Sequence, residues 1–220
     1  MNIACSRLSV VRPPRGVWER QDEATPRPTH SRRYGPYTWG KCEQEALVED
    51  RARAFGIQVR IVRPGALLDP ASPDLPGLVG RRLFGDWHLG LGRPGLPIAV
   101  CDVASCAAAI AWCAAHFDEA PRVVNLFDPR VRTRRELLSR LRTRGWTGRM
   151  LWVPIGVVAA GLSAAQAGLS ILHGRWPSYQ SAWSILRPRR FDSNLSCQLL
   201  TVATGSSGAE EPRAAAAAFS

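Results

Sequence analysis

Lysine is almost absent from this chain. The sequence carries 29 basic residues, and Lys41 is the only lysine among them. Arginine replaces lysine on a solvated surface with little penalty, but not where a compact ammonium must sit beside a phenol and reach two ligand oxygens. Because Tyr37 lies four residues before Lys41, this pair is the first candidate for chemistry.

Paired cysteines are also missing. The six cysteines form no C-x-x-C pair, and no histidine lies near them at zinc-binding spacing. This pattern argues against a zinc site and against a disulfide framework, and we predict no bound metal. Cys106 and Cys113 lie in an alanine-rich stretch and are predicted to be small buried thiols. Unpaired thiols fit a reduced, cytoplasmic compartment.

No signal peptide opens the sequence, since Met1 leads through a short apolar run into Arg-Pro-Pro-Arg. Residues 150–172 carry no charge and are long enough to span a bilayer. Pro154, Gln166 and several glycines dilute this segment, and arginine flanks both of its ends. We therefore predict a buried or membrane-facing helix of a globular domain, and a peripheral membrane contact through 150–172 stays open.

The net charge of +11 would suit a polyanionic partner. The arginines are spread from Arg7 to Arg213 instead of forming one block, which argues against nucleic-acid binding. A basic protein that binds a membrane surface or nucleic acid remains an alternative, and binding that disappears with modest salt would support it.

The first third of the chain predicts a β-loop-α-β unit. Residues 1–11 favour a short strand, and residues 12–36 form a loop rich in proline, arginine and threonine. Pro36 is a plausible first helical position before a helix over 37–55, and Gly56 marks its end. Residues 57–62 alternate with β-branched side chains, as a strand does. A strand, a helix and a second strand in this order imply parallel pairing.

The rest of the chain continues this alternation. Residues 64–97 are rich in glycine and proline and are predicted as a loop, within which His88 and Arg93 could line a substrate site or serve a structural role. Thr133 and Glu136 form a capping box at the start of a helix. The remaining predicted elements are a strand over 98–101, a helix from Asp102 to about His116, a strand over 123–126, a helix to Arg144 and an apolar helix over 154–172.

On a helix, Tyr37 and Lys41 lie one turn apart on the same face. A free tyrosine ionises near pH ~10, and an ammonium a few ångströms away favours the phenolate and brings its titration towards neutrality. The same ammonium could donate to the ribose hydroxyls of a nicotinamide nucleotide. By itself, Y-x-x-x-K is a weak pattern, and a surface pair on a helix is the alternative.

Several motifs in order resemble the extended short-chain dehydrogenase/reductase family, which includes the NAD-dependent epimerase/dehydratases and the 3β-hydroxysteroid dehydrogenase-like enzymes. The resemblance covers roughly residues 1–195. The motifs that carry it are Tyr37-Thr38-Trp39-Gly40-Lys41 with Glu45 following, Val59 to Gly65, Ile98 to Ala104, Val124-Asn125-Leu126, and Thr133 to Leu137.

The resemblance implies a partial Rossmann-like α/β fold, a doubly wound parallel sheet that lacks its first strands. Residues 1–65 would form the second half of that domain, residues 66–195 the remaining strands and a C-terminal substrate cap, and residues 196–220 a disordered tail. It also implies NAD or NADP as cofactor, a secondary alcohol or carbonyl as substrate, such as a nucleotide sugar or a sterol-like alcohol, and leaves a homo-oligomer open.

The resemblance also implies roles for individual residues. Tyr37 would be the acid/base, and Lys41 would bind the nicotinamide ribose and lower the pKa of the tyrosine. Pro64 and Gly65 would approach the nicotinamide amide through their backbone, whereas Arg63 would be structural. The family also expects a serine or threonine hydroxyl that binds the substrate oxygen, for which Ser6 or Ser9 is the candidate.

Two departures from the family pattern bear on activity. Alignment of Val10 with the valine of the family's Ser-Ser-x-x-Val pattern places Arg7, a donor-only side chain, where the catalytic hydroxyl is expected. The sequence also contains no G-x-x-G-x-x-G turn to receive a pyrophosphate, and it starts at what would be about the fifth strand. We therefore expect a truncated and inactive protein as one outcome, with a non-catalytic fold remnant or interaction module as the alternative to an enzyme.

Overall fold

The computed structural model describes residues 2–14, 19–69, 75–77, 79–173 and 188–205. The strands are β1 (Asn2–Cys5), β2 (Arg20–Gln21), β3 (Val59–Pro64), β4 (Ala66–Leu68), β5 (Gly80–Phe84), β6 (Trp87–Leu91), β7 (Val100–Asp102), β8 (Val123–Leu126), β9 (Arg149–Val153) and β10 (Arg190–Phe191). The helices are α1 (Pro36–Ala54), α2 (Val103–Ala115), α3 (Arg134–Thr143), α4 (Ile155–His173) and α5 (Asn194–Thr204).

A parallel sheet of order β1-β3-β8 forms the centre of the fold. Its register places Cys5 beside Val62 and Arg63 beside Asn125. Because successive side chains of a strand point to opposite faces, Val62 and Arg63 serve different faces of the sheet. The predicted α/β class with parallel strands is confirmed.

One face of this sheet is covered by α2 and α5. Their shared core contains Val62, Val124 and Leu126 from the sheet, Cys106, Ala109 and Cys113 from α2, and Leu199 from α5. Asp102 begins α2, and its side chain accepts hydrogen bonds from the amides of Ala104 and Ser105. The predicted N-cap and the burial of Cys106 and Cys113 are therefore confirmed.

The segment predicted as a loop over 64–97 contains three strands. β4 pairs with β7 in parallel, and β5 and β6 form an antiparallel hairpin to which β9 adds in parallel. Glycines and arginines dilute the alternation in these strands, so the pattern did not predict them. Thr133 and Glu136 form the predicted capping box on α3, which covers a second core built around Val100, Leu137 and Trp146.

The helix α1 lies on the opposite face of the central sheet and matches its predicted bounds within one residue. Gly35 precedes it with φ of 92°, a conformation that L side chains rarely adopt, and Pro36 occupies the first turn. Only Cys42 and Glu45 are buried along its 19 residues. Apolar packing therefore holds little of this helix to the sheet.

A buried ion pair holds α1 to β3 instead. Glu45 and Arg63 are 2% and 5% exposed, and the guanidinium of Arg63 donates from Nε at 3.2 Å and from one Nη to the two carboxylate oxygens of Glu45. Arg27 lies 3.7 Å from the same carboxylate and donates to Glu49 at 2.8 Å. The structural role predicted for Arg63 agrees with these contacts.

The strand β1 pairs with β3 along one edge, and no strand of the described ranges pairs with its other edge. An apolar groove of about 250 Å³ lies beside it, lined by side chains that include Ile3, Ala4, Phe55 and Ile57. An unpaired parallel edge beside an apolar groove is a surface on which a further strand could pair.

One prediction about the C-terminal third needs correction, and a second is narrowed. The disordered tail was predicted to begin at residue 196, but residues 194–204 form α5, which buries Ser196 and Leu199; residues 206–220 lie outside the described part. The apolar helix, predicted to be buried or membrane-facing, is present as α4, and many of its described side chains are exposed, with Val157 at 62%, so it is not a buried helix. Within the described ranges, no helix combines the length and the apolar character needed to cross a bilayer.

Removal of Glu45 should destabilise the fold sharply. We expect Glu45→Ala to lower the free energy of unfolding by about 3–5 kcal/mol, because it leaves the guanidinium of Arg63 buried without its carboxylate. The exposed Glu43→Ala should change it by less than about 0.5 kcal/mol. Urea unfolding measures both. The pair Glu45→Met with Arg63→Met should be far less damaging than Glu45→Ala, and equal losses would contradict the proposed role of the ion pair.

Candidate functional site

The first turn of α1 presents Tyr37 to solvent, with 53% of the residue exposed. Lys41 lies one turn later, and its ammonium donates to Oε1 of Gln44 at 2.8 Å. The cation stacked on Tyr37 comes from Arg7, whose guanidinium carbon is 5.6 Å from the centre of the phenol ring. The structure thus brings Tyr37 together with Arg7, the residue that departs from the family pattern.

Both cations lie close to the end of β1. Burial and the neighbouring Cys106 raise the pKa of the Cys5 thiol, and the positive charges of Lys41 and Arg7 oppose this effect. Lys41 and Arg7 therefore both contribute positive charge near Cys5, at the end of β1.

Ser6 directly follows β1 and continues its register, which places it beside Arg63 of β3. Its amide donates to the carbonyl of Val62 at 2.8 Å, and its side chain is 6% exposed with no hydrogen-bond partner for the hydroxyl. The alternation along the strand turns Arg7, and not Ser6, towards Tyr37. A catalytic role for Ser6 stays a prediction. The residue that contacts Tyr37 is Arg7.

Pro64 and Gly65 are buried at the end of β3. The amide of Gly65 donates to the carbonyl of Leu126 at 2.9 Å, and a Cβ at this position would lie 2.6 Å from the carbonyl oxygen of Ala99. Close packing of two strands therefore requires this glycine. Since proline has no N–H and the amide of Gly65 is engaged, only carbonyl oxygens remain here for a ligand.

A cavity of about 460 Å³ opens between the segments 95–99, 127–133 and 189–194. Four arginines line it, and Asp192 is its only carboxylate. The pairing of β10 with β2 brings Arg20 beside Arg190. A confined space with this excess of positive charge favours an anionic ligand. The other two arginines that line the cavity are Arg132 and Arg189.

The loop that forms one wall of this cavity is held by Asp128. Its carboxylate accepts hydrogen bonds from Nε of Arg130 at 3.1 Å and from Nη1 of Arg140 on α3, and its amide donates to the carbonyl of Val100. Burial alone would raise the pKa of Asp128, but the hydrogen bonds from Arg130 and Arg140 outweigh it and hold this pKa below its usual range.

The remaining candidates have structural roles or no ligand-binding geometry. His88 is buried in β6, with Nδ1 3.1 Å from the carbonyl of Asp86 and its ring 5.2 Å from that of Trp146. Neither His88 nor Arg93 lines the cavity. All six cysteines are free. In the described part of the chain, no three His, Cys, Asp or Glu side chains converge as a metal site would require.

Neither a family model nor a curated protein sequence matches this chain. Solved structures do. Human epimerase family protein SDR39U1 (isoform 2), solved with NADPH, is 15% identical with a TM-score of 0.52, and the alignment covers 90% of this chain and 58% of that protein. The NAD-dependent NDP-hexosamine 5,6-dehydratase TunA of tunicamycin biosynthesis is 15% identical with a TM-score of 0.55, covering 90% and 55%.

UDP-glucuronic acid 4-epimerase from Bacillus cereus, solved with NAD, is 18% identical with a TM-score of 0.52, covering 90% of this chain and 61% of the enzyme. The chain has the fold of an extended short-chain dehydrogenase/reductase. It spans 55–61% of the length of these three proteins. The epimerase-type fold that the ordered motifs predicted is therefore confirmed.

A nicotinamide dinucleotide fits the residues of this epimerase-type fold only in part. Tyr37 is exposed and the ammonium of Lys41 has two further donors, so the ribose next to the nicotinamide could be held there. No glycine-rich turn in the sequence offers backbone amides to the pyrophosphate. The described residues therefore match one end of the dinucleotide and not the other.

Sequence reasoning missed the residues that join the site to the rest of the molecule. Arg27 and Glu23 lie in a segment without periodicity, yet Arg27 contacts Glu45 and Glu23 accepts the amide of Asn125 at 3.0 Å. The arginines of the cavity come from three separate segments, at Arg20, Arg132 and Arg189–Arg190. Their only sequence signal is the cluster Arg187-Pro188-Arg189-Arg190 before Phe191 and Asp192.

The pH dependence of stability should report Asp128. Because its pKa is lowered in the folded state, the unfolded state binds the proton more readily. The contribution of Asp128 to the free energy of unfolding is therefore complete above the ordinary aspartate pKa of about 3.9. It is lost as the pH falls through the lower pKa of the folded state. We expect Asp128→Asn to be less stable than the parent at pH 7 and the gap to close below about pH 4. Urea unfolding between pH 7 and 3 measures this.

The exposed Asp118→Asn is the matched control, because it removes a carboxylate for which no ion pair is described. A gap for Asp128→Asn that stays constant down to the acid limit would contradict the assignment.

Proposed function

We propose that this chain carries the acid–base and substrate-binding half of an NAD(P)-dependent oxidoreductase of the epimerase/dehydratase type. It acts on a secondary alcohol or carbonyl, with Tyr37 as the group that exchanges a proton with the substrate oxygen. One observation carries this proposal. On an epimerase-type fold, Tyr37 lies one helical turn before the only lysine of the sequence, and Arg7 contacts its ring at the end of the sheet.

The surroundings of Tyr37 support its role. The guanidinium carbon of Arg7 lies 5.6 Å from the centre of the Tyr37 ring, and Lys41 follows one helical turn later, so two cations accompany the phenol that we propose transfers the proton. The buried pair of Glu45 and Arg63 fixes the helix that carries Tyr37 and Lys41. A bound nicotinamide would supply or accept the hydride, and Lys41 would hold its ribose.

The arginine-lined cavity supports an anionic substrate, such as a nucleotide sugar, over a sterol-like alcohol. The four arginines give this space of about 460 Å³ an excess of positive charge over Asp192, which a ligand with negative charge would balance. The diphosphate of a nucleotide sugar supplies that charge and accepts bidentate hydrogen bonds from arginine.

Reduced nicotinamide mononucleotide tests the cofactor end of the site, because it contains only the portion that Tyr37 and Lys41 could hold. We expect Lys41→Met to weaken its binding about tenfold, the effect of losing a charged hydrogen bond. Lys41→Arg should also weaken it, since a planar guanidinium cannot reproduce the ammonium. NADH should bind no more tightly than the mononucleotide. Fluorescence titration of the full chain measures each affinity.

Tyr37→Phe should leave the affinity for reduced nicotinamide mononucleotide within about twofold of the parent and abolish turnover, because only the hydroxyl that transfers the proton is lost. Turnover is followed by absorbance of the reduced cofactor with a panel of UDP- and dTDP-sugars and simple secondary alcohols. Equal turnover in the parent and the variant would overturn the role of Tyr37.

Inorganic pyrophosphate tests the cavity separately. We expect Arg20→Gln with Arg132→Gln to weaken its binding at least tenfold, because two charge-assisted contacts are lost. Arg51→Gln with Arg142→Gln removes the same net charge outside the cavity and should have little effect. Isothermal titration calorimetry at constant ionic strength measures both. If both double variants weaken pyrophosphate binding equally, the binding depends on net charge and not on a site in the cavity.

A further inference from the structure

Arg189 connects the cavity with the segment that carries Arg7. Its Nη1 donates to the carbonyl of Val11 at 2.8 Å and lies 3.4 Å from that of Leu8. The same side chain lines the cavity. It therefore joins two parts of the chain that lie 178 positions apart.

The turn that Arg189 holds is packed directly on α1. This turn, Leu8–Val10, follows Ser6 and Arg7 without a break. Val10 and Val11 form a small buried cluster with Cys42 of α1, and the thiol of Cys42 lies 3.9 Å from the carbonyl of Val10. Phe191, two residues after Arg189, packs on the same cluster. A continuous set of contacts thus runs from the cavity to the helix of Tyr37.

The charge of Arg189 is incompletely compensated. Burial lowers the pKa of this guanidinium, and no carboxylate forms an ion pair with it within the described ranges. Its described acceptors are the neutral carbonyls of Leu8 and Val11. Arg189 is half-buried, and a cation that is partly withdrawn from water without an anionic partner gains from a bound anion. An anion in the adjoining cavity would supply the missing charge without displacing the two carbonyls, because a guanidinium has five N–H donors.

We propose that Arg189 is a positioning residue that couples anion binding in the cavity to the order of the turn Leu8–Val10. The proposal rests on the proposed function only in taking the cavity as the site of an anionic substrate group. Binding of that group fixes Arg189, the turn and, through Val10 and Cys42, the start of the helix that carries Tyr37. Occupancy of the substrate site thereby organises the residues around Tyr37.

The rate at which Cys42 is alkylated measures this coupling and requires no turnover. Cys42 is buried beneath Val10 and Val11, so a thiol reagent reaches it only when the turn opens. Iodoacetamide labelling of the full chain, followed by peptide mass spectrometry, gives a separate rate for each cysteine. Cys113 is the internal control, because it is buried in the other core under α2.

We expect inorganic pyrophosphate to slow the labelling of Cys42 about tenfold and to leave that of Cys113 unchanged, a coupling of the usual size between two sites. Without pyrophosphate, Arg189→Met should label at Cys42 about tenfold faster than the parent, as expected for the loss of a hydrogen bond from a charged group, and should no longer respond to the anion. Arg189→Lys should restore part of the response, and Arg142→Gln should behave as the parent.

Three results would overturn the proposal. Pyrophosphate could leave the Cys42 rate unchanged in the parent, it could slow Cys42 and Cys113 equally, or Arg189→Met could respond to it as the parent does. The parent alone decides the first two, so the test stands even if Arg189→Met fails to fold. Tyr37→Phe should label as the parent does, which separates failure of this coupling from failure of the proposed chemistry.

Discussion

The ion pair between Glu45 and Arg63 is the interaction on which the candidate site depends. It joins α1, which carries Tyr37 and Lys41, to β3, the middle strand of the central sheet. Most helices on a sheet are held by an apolar face, but α1 buries only Cys42 and Glu45. A charged pair with fixed hydrogen-bond geometry defines position and rotation more narrowly than apolar contact, and its loss leaves a buried charge.

Arginine performs several different tasks in this chain. Arg63 anchors α1, Arg7 lies on the ring of Tyr37, and Arg189 holds the turn Leu8–Val10 beside the cavity. Each task uses the planar fork of donors or the face of the guanidinium, for which an ammonium is a poor substitute. The net charge of +11 therefore includes cations committed to internal contacts. Lys41 remains the one position where a compact ammonium is retained.

The proposed function draws on two separate features, the exposed Tyr37 beside Arg7 and Lys41, and the arginine-rich cavity. The chain spans about half to three-fifths of the length of the solved proteins that share its fold. The outer edge of β1 is unpaired within the described ranges, and the apolar groove beside Phe55 and Ile57 lies next to it.

Local pattern in the sequence determined α1, α2, α3, β3 and β8, because Pro36, Asp102 and the capping box of Thr133 and Glu136 act over a few residues. It also singled out Tyr37 and Lys41, since one helical turn fixes their spacing. It did not predict β5, β6 and β9, whose stability comes from pairing with one another, nor α5, whose Leu199 completes a distant core. Only the tertiary structure decided that Arg7 meets Tyr37, that Glu45 meets Arg63 and that Arg189 meets Val11. Such contacts join residues far apart in the chain, and no local periodicity records them.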